Sequence, residues 1–240
     1  MTLLTYIGIV FVALFAALVL NYLADVLPTH RRLAKPIWWP LSSLSQLWQY
    51  LLQIRVVLVE GAFLALAFFL SQNNLDSWPL WQLATIFFFF TLVIVIDIEH
   101  RLILHSVSLS GVVVLGGIGI LRHGWQSSIL GGLAGFASLL ALYWLGGLFS
   151  NWIAKRRGQP LDEIVLGFGD VNLAGVIGLL LGWPAINGAL ILGIFLGGLY
   201  SLVYILVALA RGRYQAFAAI PYGPFLSLGA ILLIALRSYL

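Results

Sequence analysis

Apolar residues along this chain fall in long unbroken blocks, not in the one-face stripe of a soluble amphipathic helix. Eight blocks can be marked, at roughly 3–23, 55–71, 80–97, 105–121, 127–149, 171–183, 185–208 and 220–237. At 1.5 Å of rise per residue, about 20 apolar residues span the hydrocarbon of a bilayer. A helix closes its backbone hydrogen bonds within the segment, which is what hydrocarbon demands. The pattern therefore predicts an all-α, polytopic membrane protein with about eight transmembrane helices. The sixth block is short, and Trp183-Pro184 between it and the seventh predicts a tight turn. No internal repeat or low-complexity linker interrupts the series, so residues 1–240 read as a single membrane-embedded domain. The longest polar segments are 24–54 and 150–169. The first block follows no basic stretch and is long enough to span, so it reads as a retained helix and not as a cleaved signal.

Composition sharpens this picture. Apolar residues make up 62% of the chain and charged residues 8%, with mean hydropathy +1.07. A soluble domain carries about 25% charge, so a sizeable soluble domain is excluded. The net charge of +4 is small and scattered, and no nucleic-acid partner is expected. Its placement instead reports topology. With the N-terminus outside, Arg31, Arg32, Lys35, Arg55, Arg101, Lys155, Arg156, Arg157, Arg211 and Arg213 fall on the cytoplasmic side. Only Arg122 and Arg237 fall outside. An odd number of spans would break that asymmetry. There is no cysteine, which excludes disulfides, thiolate metal sites and a cysteine nucleophile. His30, His100, His105 and His123 show no ligand spacing, so neither a metal nor a cofactor is expected.

Carboxylates are scarce enough to question one by one. Asp25, Asp76, Asp162 and Glu163 fall in predicted loops and require no function. Glu60 lies inside the second block, where it could pair with Arg55 or face a polar cavity. An ionisable group at such depth is a functional candidate. Asp97 ends the third block, where pairing with Arg101 at i+4 would account for it. Asp170 opens the sixth block after Gly167 and Gly169, where it could be a helix N-cap on a glycine-shaped turn. The charge map puts Asp97 and Asp170 at the same membrane boundary. Two adjoining carboxylates cannot both ionise cheaply; one keeps a proton while the other activates a water. Such a pair hydrolyses a peptide bond without metal or thiol. Spacing alone leaves the structural and catalytic accounts both open.

Motif context goes further. The run GFGDVNLAGVIGLLLG resembles the Gly-x-Gly-Asp signature of the type IV prepilin peptidases, through Gly167, Gly169, Asp170, Leu173, Gly178 and Gly182. VIDIEHRLIL is similar to that family's first catalytic stretch, through Asp97, Glu99 and His100. RVVLVEGAFLAL resembles its Arg-x-x-x-Val-Glu segment, through Arg55, Val59 and Glu60. IPYGPFLSLGA resembles its Ile-Pro-Phe-Gly-Pro segment, through Ile220, Pro221, Gly223 and Pro224. LNYLADVLP is similar to its N-terminal Leu-Asn-x-x-x-x-Arg-Leu-Pro. The matches keep the family's order along nearly the whole chain.

The resemblance implies an intramembrane aspartic endopeptidase with Asp97 and Asp170 as its catalytic pair. Gly167, Gly169, Asn172 and Glu60 would be supporting residues. The Gly-x-Gly turn would set Asp170 at the membrane surface, opposite Asp97. The implied substrate is a prepilin or pseudopilin, whose basic leader stays cytoplasmic while its apolar segment lies in the bilayer. The implied setting is the bacterial cytoplasmic membrane, with the site on its cytoplasmic face. Three departures stand out. Asn172 occupies the place of a Lys, Leu104-His105-Ser106 replaces a Leu-Pro-Asp, and the paired Cys-x-x-Cys motifs of the usual zinc domain are absent. Segment 24–54 stands in that domain's place, with Trp38, Trp39 and Trp48 suited to interfacial anchoring. Methyl transfer, the second activity of many relatives, is associated with the missing region and is not expected here. Two other readings are a catalytically impaired homologue acting in pilus or secretion assembly, and a proton-coupled transporter using Asp97 and Asp170 as a relay.

Overall fold

The computed structural model describes residues 3–30, 50–72, 78–157, 167–212 and 220–239, and every regular element among them is helical. In chain order these are α1 (Leu3–His30), α2 (Ile54–Gln72), α3 (Leu80–His100), α4 (His105–Arg157), α5 (Phe168–Leu181), α6 (Ala185–Ala210) and α7 (Gly223–Tyr239). Five segments are long and apolar enough to cross a membrane: Ile7–Thr29, Ile54–Ser71, Leu80–His100, His105–Phe149 and Ala185–Ala210. α5 and α7 are shorter apolar helices of 14 and 17 residues. Large side chains such as Phe11, Phe68, Ile191 and Phe195 point outward from these helices, as lipid-facing surfaces do. The chain divides into two compact units, Met1–Ile96 and Asp97–Leu240.

In the first unit α1 packs on α2. α1 runs on to His30, past the apolar block that ends near residue 23. Its polar residues close their bonds on the helix itself. Asn21 donates to the Ala17 carbonyl at 3.0 Å, and the Thr29 hydroxyl donates to the Asp25 carbonyl at 2.9 Å. Asp25 is therefore helical, contrary to the expected loop, and it is engaged. Nη2 of Arg55 lies 2.6 Å from its Oδ1, and the Tyr50 hydroxyl donates to its Oδ2 at 2.7 Å. Burial first, then Asp25, push the Tyr50 phenol far above its ordinary range. Arg55 thus pairs with Asp25 and not with Glu60, which sits half-buried in the second turn of α2. Asp76, Asp162, Glu163 and most of segment 24–54, including its three tryptophans, lie outside the described residues.

In the second unit α4 covers two apolar blocks without a loop between them. Helical bonding is broken only at Gly124, with φ 79° and ψ 159°, a conformation glycine reaches at no steric cost. The chain folds back there. A Cβ on Gly119 would stand 3.0 Å from the Ser128 hydroxyl, whereas nine residues of straight helix rise about 13 Å. Leu179 of α5 meets both limbs, since Cβ atoms on Gly116 and Gly132 would each touch its side chain. α5 therefore lies against both limbs of the α4 hairpin. Backbones approach through small residues, as membrane helices do: Gly178 on Gly131, and Gly135 on Ala174. The Ser128 hydroxyl caps the contact by donating to the Leu179 carbonyl at 2.5 Å. Beyond α5, Gly182 (φ 70°) and a cis Trp183-Pro184 bond form the expected tight turn into α6. Trp183 N–H donates to the Ser127 carbonyl at 2.9 Å, and the Ser127 hydroxyl donates to the Trp183 carbonyl at 3.0 Å. α7 packs along α6, with Gly229 against Ala189 and Gly193, and Gly193 against Phe225 and Leu226.

Candidate active site

Three chain segments converge in the second unit. The first is the end of α3. Its last turn closes when Arg101, in the left-handed region at φ 51°, donates its N–H to the Asp97 carbonyl at 2.8 Å. That turn leaves Asp97 inside, at 5% exposure, while Ile98, Glu99 and His100 are exposed. Glu99 and His100 face each other at 4.0 Å. The chain then passes without regular structure through buried Ile103 and Leu104 before α4 begins at His105.

The second segment is the start of α5. Gly167 is its N-cap, and Asp170 is the third residue of the helix, not the cap. The Asp170 carboxylate reaches back, and its Oδ2 accepts the Gly167 N–H at 3.2 Å. Its Oδ1 is buried with no hydrogen-bond partner among the described residues. At 8% exposure, Asp170 is nearly as enclosed as Asp97. Gly169 lies against the segment that joins α3 to α4, where a Cβ would stand 2.8 Å from Cβ of Ile103 and 3.2 Å from its carbonyl oxygen. No side chain fits at 169, so the Gly-x-Gly turn is also the packing surface that joins the two motifs.

The third segment opens α7. The Gly223 N–H donates to Oδ2 of Asp97 at 3.0 Å, in a buried contact. Among the described residues no ion pair joins Asp97 to Arg101, so this amide replaces the expected i+4 partner. A Cβ on Gly223 would lie 3.2 Å from Cδ1 of Ile103. Ile103 thus touches both the Asp170 turn and the Gly223 turn. The charge of Asp97 also acts on Asp170. Tyr222, next to Gly223, is half-buried.

The sequence-expected pair, Asp97 and Asp170, is thereby brought into one site, with Gly167 and Gly169 shaping one wall. Asn172 is at its edge, its Nδ2 3.4 Å from Nδ1 of His105. Both positions depart from the family pattern, and they meet each other. Glu60 belongs to the other unit. Gly223 and Ile103 are site residues beyond those the motifs imply; the signal for Gly223 is the Ile220-Pro221-Tyr222-Gly223-Pro224 segment. No three His, Asp or Glu side chains among the described residues cluster as metal ligands would. What the site offers is two buried carboxylates held by backbone donors, a set suited to moving protons.

A family model described as the type IV leader peptidase family matches residues 83–202, which carry Asp97 and Asp170. Several relatives bear the name prepilin leader peptidase/N-methyltransferase. That of Aeromonas salmonicida (strain A449) is 30% identical over 101 residues, 42% of this chain and 30% of the relative. That of Burkholderia pseudomallei (strain 1026b) is 31% identical over 104 residues, 43% of this chain and 29% of the relative. That of Pectobacterium carotovorum subsp. carotovorum is 27% identical over 165 residues, 65% of this chain and 52% of the relative. The aligned stretches thus span about a third to a half of these relatives. No solved structure matches the chain.

Proposed function

The chain belongs to the type IV leader peptidase family, and from that premise we propose that it is an aspartic endopeptidase that removes the basic leader of a prepilin or pseudopilin. The observation that carries the reading is the burial of Asp97 and Asp170, borne by different helices, around a single Ile103-centred contact. Two carboxylates in mutual range share a proton. The ionised one takes a proton from a water as its oxygen bonds to the scissile carbonyl carbon. The protonated one donates to the carbonyl oxygen. When the tetrahedral intermediate collapses, the C–N bond breaks, the leaving nitrogen takes the proton first removed from water, and the other proton returns to the second carboxylate. The basic asymmetry of the loops supports eight spans, an external N-terminus and a site at the cytoplasmic face of the bacterial inner membrane. There a basic leader and an apolar segment would meet at the scissile bond. The reading covers peptide cleavage and not methyl transfer or zinc, because the chain has no cysteine.

The test is cleavage of a prepilin leader by the purified chain in detergent. Asp97→Asn and Asp170→Asn should each lower kcat by several orders of magnitude, since members of a unit-acting pair are not additive. Unfolding temperature should be retained. Near-normal cleavage by either variant would reduce that residue to a structural role. A wild-type chain that folds but cleaves no leader would favour the assembly-factor reading.

A further inference from the structure

The turn leading into α7 has no role in the chemistry above, yet it meets one of the two carboxylates directly. Gly223, the first residue of α7, gives its N–H to Asp97 across 126 positions of sequence. An amide in the first turn of a helix has no intrahelical acceptor, so the helix loses nothing by this donation. The next residue, Pro224, has no N–H to offer. A Cβ at 223 would stand 2.7 Å from Oδ2 of Asp97 and 3.3 Å from its Cγ, so a side chain there would displace the carboxylate. The neighbouring Tyr222 is held from two sides. A Cβ on Gly197 of α6 would meet its ring at 3.0 Å, and its ring lies edge-on to Phe225 at 6.3 Å between centroids. The ring contacts thus anchor the turn that carries the Gly223 amide.

We propose that the Tyr222-Gly223 turn is a third element of the site, in which Gly223 is the positioning residue of Asp97. The inference rests on the peptidase reading. A carboxylate that takes a proton from water works best with one oxygen fixed and the other presented. A charge-assisted N–H bond is short and directional enough to fix it. The turn ties Asp97 to α7 as the Gly169–Ile103 contact ties it to α5, so that three helices set one distance.

The experiment uses the full chain in detergent with a synthetic leader peptide. Gly223→Ala should lower kcat by about 100-fold, as a misplacement near 1 Å does, with KM within about threefold of wild type. Ile103→Val removes the Cδ1 that a new methyl at 223 would also meet, but leaves the clash with Asp97. The double variant should therefore stay as impaired as Gly223→Ala. Recovery in the double variant would make the defect one of packing and would overturn the proposal. Gly198→Ala, where a Cβ meets nothing within 4 Å, should behave as wild type. A second arm does not depend on cleavage. In chain labelled with ¹⁵N-glycine, Asp97→Asn should shift the Gly223 amide resonance and leave that of Gly198 in place. No shift would sink the positioning role even in an active enzyme, and this arm stands if Gly223→Ala fails to fold. A wild type that cleaves nothing but shows the shift would refute the peptidase reading alone.

Discussion

Asn172 and His105 each break the family's motif, and they touch at 3.4 Å. The contact is long and exposed, so its net worth is at the low end for a hydrogen bond, about 0.5–1.5 kcal/mol. Its position matters more: it joins the residue two places after Asp170 to the start of the helix that follows Asp97. Asn172→Ala and His105→Ala should each slow cleavage by up to about tenfold, the rate equivalent of 1.4 kcal/mol. The double variant should be no slower than the slower single variant, because one interaction is lost once. Additive losses in a cleavage assay would show that the two side chains act separately. Both departures were visible in the sequence as single letters, but their contact was not. The carboxylates were legible because each sits in a compact motif. Gly223 was quoted within a motif, yet its contribution is a backbone N–H, which every residue but proline carries and which no letter distinguishes. Its acceptor, moreover, lies 126 positions away. Asp25 was misjudged for a related reason, since a lone Asp near the end of an apolar block looks like a loop residue until Arg55 and Tyr50 are seen beside it.

At the scale of elements, apolar run length located the helical segments but not their ends. α1 outlasts its apolar block because its polar side chains bond to its own carbonyls. Arg122, His123 and Gly124 look like a loop, yet a single non-helical residue suffices to reverse α4. The family glycines at 178 and 182 could be recognised from the motif, whereas their purpose required the partner helix. A Cβ on Gly178 would run into the backbone of Gly131, with the Gly131 carbonyl carbon at 2.6 Å and the Gly132 nitrogen at 2.9 Å. Rigid backbone cannot yield as a side-chain tip can. Gly178→Ala should therefore force α5 off the α4 hairpin, at a cost of about 1–3 kcal/mol for overpacking. The expected result is a lower unfolding temperature in detergent together with slower cleavage, because Asp170 rides on the displaced helix. Gly117→Ala, on the same hairpin but with nothing within 4 Å of its Cβ, should change neither. Equal stability of the two variants would contradict the close-packed α4–α5 interface.

For the molecule as a whole, the side of the membrane that each loop occupies rests on the basic residues, and the second unit offers a way to check it. α6 covers 26 residues, a rise of about 39 Å, enough to cross the bilayer with some tilt. Its N-terminal end is tied to the α4 bend by the paired Ser127–Trp183 hydrogen bonds. Trp125, exposed beside that bend, and Arg211, exposed at the far end of α6, therefore mark opposite ends of one span. The charge rule assigns Arg211 to the cytoplasm, in company with Arg101 and Arg156, and leaves Arg122 beside Trp125 on the outer side. A cysteine at either position would be the sole thiol in the chain, since the native sequence has none, so labelling needs no background removal. In intact spheroplasts, Trp125→Cys should react with a membrane-impermeant maleimide, and Arg211→Cys should react only after the membrane is opened. The reverse pattern would turn the molecule over and put the α3–α4 junction with Asp97 on the outer side, where no cytoplasmic leader could reach it. Reaction of both from outside would mean that α6 does not cross, and the charge map would fail with it.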